Sequence, residues 1–277
     1  MPRTTASFPV LYESHCHTTL CKHATGEPEE YCSHAVRRGL KGIIFTCHAP
    51  LPHGWSADVR MADGEFNDYV KMIGRARIAY AGRLDVRLGL ESDYAPGLEP
   101  WLKELHAREP LHHVLGSVHY QMDFYRKKYY NGDAFEYQKT YYEHLAMAAE
   151  SGLFDTLSHP DLIKNEAPAQ WHFPRVQPYI EASLDRIAAT GVAMEVNTSG
   201  MFKSIREMNP GKAQLALMAK RGIPVVLGSD AHRPNRVADG FEAAMLLLHQ
   251  AGYNEVNIFL DRRRQPISLQ VALKSLR

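Results

Sequence analysis

Imidazole and carboxylate side chains recur in this chain at the points where short apolar runs end. The groups that follow these runs are, in chain order, His15 with His17, His48, Glu91, His119, His159 with Asp161, Glu195, and Asp230 with His232. A further candidate, His23, lies six residues after His17, and the chain holds 15 histidines in 277 residues. Zinc, iron and manganese all accept such side chains as ligands. The pattern therefore indicates metal chemistry.

The spacing within each group supports this interpretation. Residues two apart in a strand point to the same side, so His15 and His17 can bind one ion while Cys16 faces away. Asp230 and His232 can do the same if their strand extends that far. A single histidine at a strand end is usually an ordinary polar residue, but here nearly every run ends in such a group. Because the ligands are too many for one tetrahedral site, we predict two or three ions that share a bridging carboxylate.

The apolar runs alternate with amphipathic stretches along the chain. Strands are predicted at residues 9–14, 42–46, 85–90, 113–118, 154–157, 192–196, 224–227 and 257–260. Helices are predicted at residues 28–38, 65–81, 99–108, 135–150, 176–189, 211–220 and 240–250. This alternation predicts an α/β fold with a parallel sheet of seven or eight strands, closed or nearly closed by crossover helices. In such a barrel the C-terminal ends of the strands form one rim, where distant ligands become neighbours.

Length and composition fit a single domain over residues 1–277. The chain is 45% hydrophobic, and single α/β barrels commonly have about 200 to 250 residues or more. A net charge of +1 argues against a long nucleic acid or an anionic membrane as the main partner. Since no apolar signal segment is seen, we expect a cytoplasmic protein whose four cysteines stay reduced. The sequence leaves open whether it is a monomer or a homodimer.

Seven motifs carry a resemblance to a known family. They are HCHTTLCKHA, FTCHAPLP, GLESDYAPG, LGSVHY, LSHPDLIK, EVNTSG and VVLGSDAHRP. Through them, and over essentially its whole length, the sequence resembles the PHP (polymerase and histidinol phosphatase) family and, within it, the monofunctional histidinol-phosphate phosphatases. The resemblance implies a distorted (β/α)7 TIM-like barrel with a metal site at the C-terminal rim of the strands. It also implies three divalent ions, with zinc, iron and manganese as the candidates.

The resemblance assigns nine ligands to these ions. The first ion is implied to bind His15, His17, Glu91 and Asp230, the second Glu91, His119 and His159, and the third His23, His48 and His232. The sequence departs from the family pattern at Cys47, where similar proteins usually have Asp, and at residues 201–203, where Met-Phe-Lys replaces Leu-Arg-Lys. Neither departure removes a ligand, but the second falls beside the expected phosphate contacts.

The family implies hydrolysis of a phosphomonoester through attack by a metal-activated hydroxide. L-histidinol phosphate is the expected substrate, and its hydrolysis to L-histidinol and phosphate is a step in histidine biosynthesis. The leaving alkoxide needs a proton from His232, from Asp161 or from a water on the third ion. The candidate substrate-binding residues are Lys164, Lys203, Arg206, Arg233 and His53, with Asp93, Tyr94 and Tyr120 as further candidates to contact the histidinol moiety. The basic runs 126–128 and 262–264 are interpreted as solvated faces.

The sequence leaves two other functions open. A PHP phosphoesterase that acts on a nucleotide or another small phosphoester would carry the same ligands. A non-catalytic metal-binding accessory module would share the fold, although a complete ligand set argues against lost catalysis. The near-neutral charge and the lack of a stripe of aromatic and basic residues argue against a long nucleic-acid substrate.

Overall fold

Nine strands form one sheet in which spatial neighbours follow the order of the chain. The computed structural model describes residues 8–277, so residues 1–7 of the predicted single domain lie outside the described part, and that domain assignment stays a prediction. The strands are β1 Tyr12–Glu13, β2 Gly42–Phe45, β3 Asp85–Asp93, β4 His113–Ser117, β5 Thr156–Leu157, β6 Ala193–Asn197, β7 Val225–Gly228, β8 Glu255–Leu260 and β9 Arg263–Ser268. Strands β1 to β8 are parallel to their neighbours, and β9 is antiparallel to β8. The predicted α/β fold is confirmed.

Helices connect the parallel strands, and a last helix follows β9. They are α1 Pro28–Arg37, α2 Phe66–Ala79, α3 Glu99–His106, α4 Asp123–Tyr129, α5 Ala134–Glu150, α6 Phe173–Thr190, α7 Lys212–Lys220, α8 Phe241–Gln250 and α9 Leu269–Ser275. Seven of them were predicted, whereas α4 and α9, each seven residues long, are too short to show helical periodicity. Within residues 8–277, no helix combines the length and the apolar character that crossing a membrane requires.

Both faces of the sheet are buried, as a parallel sheet flanked by helices requires. In strand β2, successive side chains point to opposite faces of the sheet, and both faces are covered. Ile43 and Phe45 pack into the main core beneath the helices, and the ring of Phe45 meets that of Tyr31 from α1 at 5.9 Å between centroids. Ile44 points to the other face and packs with Tyr12 and Ile258 in a smaller cluster.

Strand β9 corrects the predicted strand count of seven or eight. Its residues are largely exposed and show no apolar alternation, so the sequence pattern did not reveal it. It pairs with β8 because Asp261 and Arg262, with φ of 52° and 61°, form the tight turn of a two-residue hairpin. Arg262 is also not the free surface group that was predicted, since its Nε lies 2.5 Å from the Asp155 carboxylate.

The sheet is not closed into a barrel by a continuous ladder of hydrogen bonds. Its first and seventh strands meet just beyond their C-terminal ends through an isolated parallel bridge between Cys16 and Ala231. There the backbone N–H of His17 donates to the carbonyl of Ala231 at 2.9 Å, and the N–H of Ala231 donates to the carbonyl of His15 at 3.1 Å. The bridge thus lies at the rim and among the first predicted ligands.

The buried carboxylate of Glu13 reinforces this junction. It accepts hydrogen bonds from the backbone N–H groups of His15 at 3.0 Å, Ser229 at 3.1 Å and Ala238 at 2.8 Å, and from the Ser229 hydroxyl. Burial raises the pKa of Glu13, and these donors oppose that rise. One side chain of β1 therefore holds the segment that follows β7 in place.

Candidate metal centre

The C-terminal ends of the strands bring all nine predicted ligands to one rim. His15 and His17 follow β1, His23 follows a short turn, His48 follows β2, Glu91 lies in β3, His119 follows β4, His159 follows β5, and Asp230 and His232 follow β7. Six of the nine are buried, Asp230 and His232 are partly buried, and His23 is exposed. The rim therefore gathers its donors from six different strands.

Four donor atoms surround a first point next to Glu91. Its Oε2 lies 3.4 Å from His15 Nε2 and 3.7 Å from His17 Nε2, while Asp230 Oδ1 lies 3.6 Å and 3.2 Å from the same two nitrogens. An ion about 2.1 Å from four tetrahedral donors would keep those donors about 3.4 Å apart. The observed separations match this value.

A second group of donors lies on the other oxygen of Glu91. Oε1 is 3.5 Å from His119 Nε2 and 3.0 Å from His159 Nε2. The hydroxyl of Ser117 donates to the same oxygen at 2.7 Å. The two oxygens of Glu91 thus face two separate groups of imidazoles, which is the arrangement that a bridging carboxylate needs.

The predicted third group is less symmetric. The ring of His23 lies 4.5 Å from that of His232 and 5.5 Å from that of His48, between centroids. His48 also turns towards Glu91, because its Nδ1 lies 2.8 Å from Oε2, the oxygen that faces the first group. His48 therefore stands between Glu91 and the third group.

The donor set fits divalent metal ions. Among residues 8–277, several buried atoms that point into the rim have no hydrogen-bond partner, namely His15 Nε2, both ring nitrogens of His17, His48 Nδ1, Glu91 Oε2 and His232 Nε2. A buried polar atom without a partner costs about 1–3 kcal/mol. A cluster of buried polar atoms without partners is therefore expected to be unstable on its own. Binding of metal ions by these atoms would explain why they lie together.

Hydrogen bonds fix the orientation of the imidazoles. Nδ1 of His15 lies 2.6 Å from Glu195 Oε1, and Nδ1 of His119 lies 2.7 Å from Asp93 Oδ1. Nδ1 of His232 lies 3.0 Å from the carbonyl of Asp230. In each ring this leaves Nε2 for a metal ion, and such outer partners typically change metal affinity about 10- to 100-fold.

Glu195 was placed at a strand end by the sequence but was given no role. Besides the contact with His15, its Oε2 accepts from the backbone N–H of His159 at 2.8 Å. A Cβ at Gly228 would lie 1.9 Å from Glu195 Oε1, so only glycine leaves room for this carboxylate. Glu195 therefore positions two candidate ligands, one that follows β1 and one that follows β5.

Arg60 is a second residue that sequence reasoning missed. Its side chain is 1% exposed, and Nη1 lies 2.5 Å from Asp93 Oδ2 and 2.9 Å from the carbonyl of Ala49. It comes from an irregular loop in which no pattern marks it. Asp93 was predicted to contact the substrate, but it is instead enclosed between Arg60 and His119.

The charges of these groups follow from burial and from their neighbours. Burial opposes ionisation of Glu91, but the imidazoles of His48 and His15 outweigh it and hold the pKa of Glu91 well below its usual range. Burial, followed by the nearby His232, lowers the pKa of His17 well below its usual range. Glu91 thus carries a charged carboxylate, while His17 is a neutral imidazole that has one nitrogen lone pair to offer a metal ion.

Two of the candidate ligands have unusual backbone conformations. His159 has φ of 27° and Asp230 has φ of 50°, in a region that costs residues other than glycine about 1–3 kcal/mol. Such strain is typical of functional sites, where the surrounding structure enforces it.

The predicted phosphate-binding residues divide into two sets. Lys203 lines the central cleft beside Asp230 and His232, and Arg233 lines an adjoining cavity that also includes Lys203. Arg206 and His53 are exposed and lie outside the lining of both cavities. Only the first set therefore faces the metal centre.

Lys164 and Asp161 need a correction. The Lys164 side chain is fully buried, and Nζ donates to Asp161 Oδ2 at 2.8 Å, to Glu207 Oε1 at 3.0 Å and to the carbonyl of Met208 at 3.1 Å. Its three N–H donors are used, so none is left for a phosphate. Asp161 also accepts from the N–H of Gly211 at 2.8 Å, and a carboxylate surrounded by donors is poorly suited to protonating a leaving group.

Comparison with known proteins identifies similar chains. Residues 13–199 match the sequence profile described as "PHP domain". A probable histidinol-phosphatase of Deinococcus radiodurans is 38% identical over 262 residues, which cover 92% of this chain and 99% of that protein. The histidinol-phosphatase of Bacillus subtilis is 26% identical over 285 residues, which cover 83% of this chain and 97% of that protein.

One solved structure is similar over almost its whole length. The histidinol phosphate phosphatase of Lactococcus lactis, in a complex with zinc, L-histidinol and phosphate, gives a TM-score of 0.76 at 18% identity. The similarity covers 92% of this chain and 98% of that one. At this level of identity the comparison shows a common fold.

Glu91 and His159 provide the test of the ligand assignment. We expect Glu91→Ala and His159→Ala each to lose bound metal, because each removes a donor from the second group and Glu91 also removes one from the first. Metal content of the purified variants, measured by elemental analysis, checks this. Glu104→Ala and His249→Ala change exposed residues of the same types and should keep the full content. Unchanged metal in either ligand variant would show that the assignment is wrong.

Proposed function

This chain belongs to the PHP domain family, and on that premise we propose that it is a metal-dependent phosphatase that hydrolyses L-histidinol phosphate to L-histidinol and phosphate. The observation that carries the proposal is the position of Glu91, whose two oxygens face two groups of imidazoles within 3.0–3.7 Å. The named relatives support the choice of substrate. The proposal assigns the protein a step in histidine biosynthesis.

The rim binds divalent metal, and we propose that it holds three ions. Two of them would share Glu91, and the third would lie beside His23 and His232. Imidazole and carboxylate ligands suit zinc, iron or manganese. When bound, such ions lower the pKa of a coordinated water towards ~7 and neutralise the oxygens of the phosphate.

The protein's own residues hold this centre in one geometry. Ser117 donates to Glu91, while Glu195 and Asp93 hold the rings of His15 and His119. Preorganised ligands need no rearrangement when charge develops on the phosphate, and this lowers the barrier. These side chains therefore position the ligands and do not themselves contact the substrate.

The cleft above the rim suits a small substrate. Its volume is about 230 Å³, and besides the ligands its lining includes Val59, Gln121, Met122, Leu162 and Lys203. Drug-sized ligands usually occupy pockets of about 300–1,000 Å³. We propose that Lys203 contacts the phosphate while the apolar wall and Gln121 receive the histidinol moiety.

The leaving alkoxide takes up a proton at the rim. Of the two residues predicted for this step, His232 lines the cleft, whereas Asp161 is enclosed by its own donors. Because Nδ1 of His232 is held by the Asp230 carbonyl and Nε2 is assigned to a metal ion, we propose a water next to His232 as the proton source. The proposal also places the protein in the cytoplasm, acting on a small phosphorylated substrate.

Substrate preference tests the proposed activity. The purified protein with its metal should release phosphate from L-histidinol phosphate at a higher kcat/KM than from nucleoside monophosphates or from an aryl phosphate. The reason is that its small cleft can contact both the phosphate and the histidinol moiety. A preference for a nucleotide would point to another phosphoesterase of the family. No turnover at full metal occupancy would point to an accessory module.

Lys203 and Arg206 form a matched pair for testing phosphate contact. Lys203→Ala should lower kcat/KM for L-histidinol phosphate about 10- to 100-fold, because a hydrogen bond to a charged group contributes about 1.5–3 kcal/mol. Arg206→Ala, which removes an exposed cation outside the cleft, should stay close to the wild-type value. Steady-state kinetics of both variants decides the matter, and equal losses in the two would refute a direct role for Lys203.

A further inference from the structure

Two buried cysteines lie against the third group of ligands. Cys21 and Cys47 are both fully buried. One ligand atom each of Cys21, His23 and His232 lies within 4.8 Å of the other two. The imidazoles of the third group therefore share their space with a thiol.

His17 points to the same place. Its side chain is fully buried, and neither ring nitrogen has a hydrogen-bond partner among the described residues. A ring nitrogen of His17 lies within 4.8 Å of both sulfur atoms, and its ring stacks on that of His232 at 4.0 Å between centroids. Unpaired nitrogens and sulfurs thus converge on the region between the first and third groups.

The local backbone presents Cys21 and His23 together. A short helical turn over Thr19–Cys21 ends at Lys22, whose φ of 70° reverses the chain. His23 Nδ1 then lies 2.7 Å from the carbonyl of Cys21, which leaves Nε2 free. The N–H of Ala24 donates to Cys21 Sγ at 3.2 Å, a bond that suits a sulfur carrying negative charge.

We propose that Cys21 Sγ is a ligand of the third metal ion, together with His23 and His232. Three protein ligands leave one tetrahedral position open, as in catalytic zinc sites, where a water or a phosphate oxygen can bind. This differs from the ligand set that the resemblance implies, in which His48 takes the place of Cys21, because His48 Nδ1 lies 2.8 Å from Glu91 Oε2. The inference rests on the proposed metal centre but not on the identity of the substrate.

Cys47 has a different environment. Its sulfur accepts hydrogen bonds from the backbone N–H of Thr18 at 3.4 Å and from the Thr18 hydroxyl at 3.3 Å. It lies within 4.8 Å of Cys21 but does not belong to the group formed with His23 and His232. We assign it a supporting position beside the thiolate ligand.

A thiolate also affects which metal is bound. Soft sulfur ligands favour zinc and other thiophilic ions, whereas magnesium and manganese prefer oxygen donors. The third position should therefore select zinc-like ions more strongly than the two positions next to Glu91, which have nitrogen and oxygen donors alone.

Cobalt substitution tests the proposal, because Co²⁺ bound to a thiolate absorbs in the near ultraviolet by charge transfer. The full chain, freed of metal and titrated with Co²⁺, should develop this band. Cys21→Ser should lack the band and bind the last equivalent of Co²⁺ at least about tenfold more weakly. Cys47→Ser and Cys32→Ser, the second of which changes a buried cysteine of α1, should keep the band.

Any of three results would overturn the assignment: no band in the wild-type chain, a band retained in Cys21→Ser, or a band lost in Cys47→Ser alone. Because a change at buried Cys21 could impair folding, His23→Ala serves as a second variant, since His23 is exposed. It should also lose the band, as the thiolate and this imidazole share one ion. None of these readings depends on turnover, so failure of the proposed phosphatase activity would be seen separately.

Discussion

The structure depends on the buried carboxylate of Glu91. A carboxylate that is shielded from water is stable only if positive charge or hydrogen-bond donors surround it. The Glu91 side chain is about 1% exposed and faces imidazoles on both oxygens. Several ring nitrogens of these imidazoles have no hydrogen-bond partner among the described residues. Bound metal ions would satisfy these nitrogens and would also balance the negative charge of Glu91. The rest of the structure holds this arrangement. Strand β3 carries Glu91 into the middle of the rim, and the neighbouring strands supply the nitrogen donors.

The junction between β1 and β7 is the second element of this arrangement. His15, His17 and Asp230 lie on either side of the bridge between Cys16 and Ala231, so the first group of ligands exists only where the sheet nearly closes. Glu13 holds the junction from below through backbone donors. Glu195 occupies the space left by Gly228 and fixes His15 and His159. The buried carboxylates of Glu13 and Glu195 therefore hold the backbone and the imidazoles of the rim in place.

The sequence predicts the parallel strands because apolar runs leave a periodic pattern, and the side chains that follow these runs, together with the family resemblance, mark the nine candidate ligands that the structure brings to one rim. It does not predict β9, whose exposed residues are paired only through a hairpin turn, or Arg60, which lies in an irregular loop. It also predicts that Lys164 binds phosphate, because this lysine follows a predicted strand end. In the structure, Lys164 is buried and pairs with Asp161 and Glu207. The sequence alone does not distinguish a lysine that faces the cleft from one that pairs in the interior. Such contacts depend on tertiary packing that spacing along the chain does not encode.

Anomalous diffraction from crystals of the metal-loaded protein, collected at the absorption edge of the bound metal, would show whether Glu91 lies between two metal ions. We expect one peak between Glu91 Oε2 and Asp230 and a second between Glu91 Oε1 and His119, about 3.5–4 Å apart as in two-metal sites. A further peak is expected beside His23 and His232. A map with density at only one of these positions, or with no peak in contact with Glu91, would rule out a pair of metal ions that share Glu91.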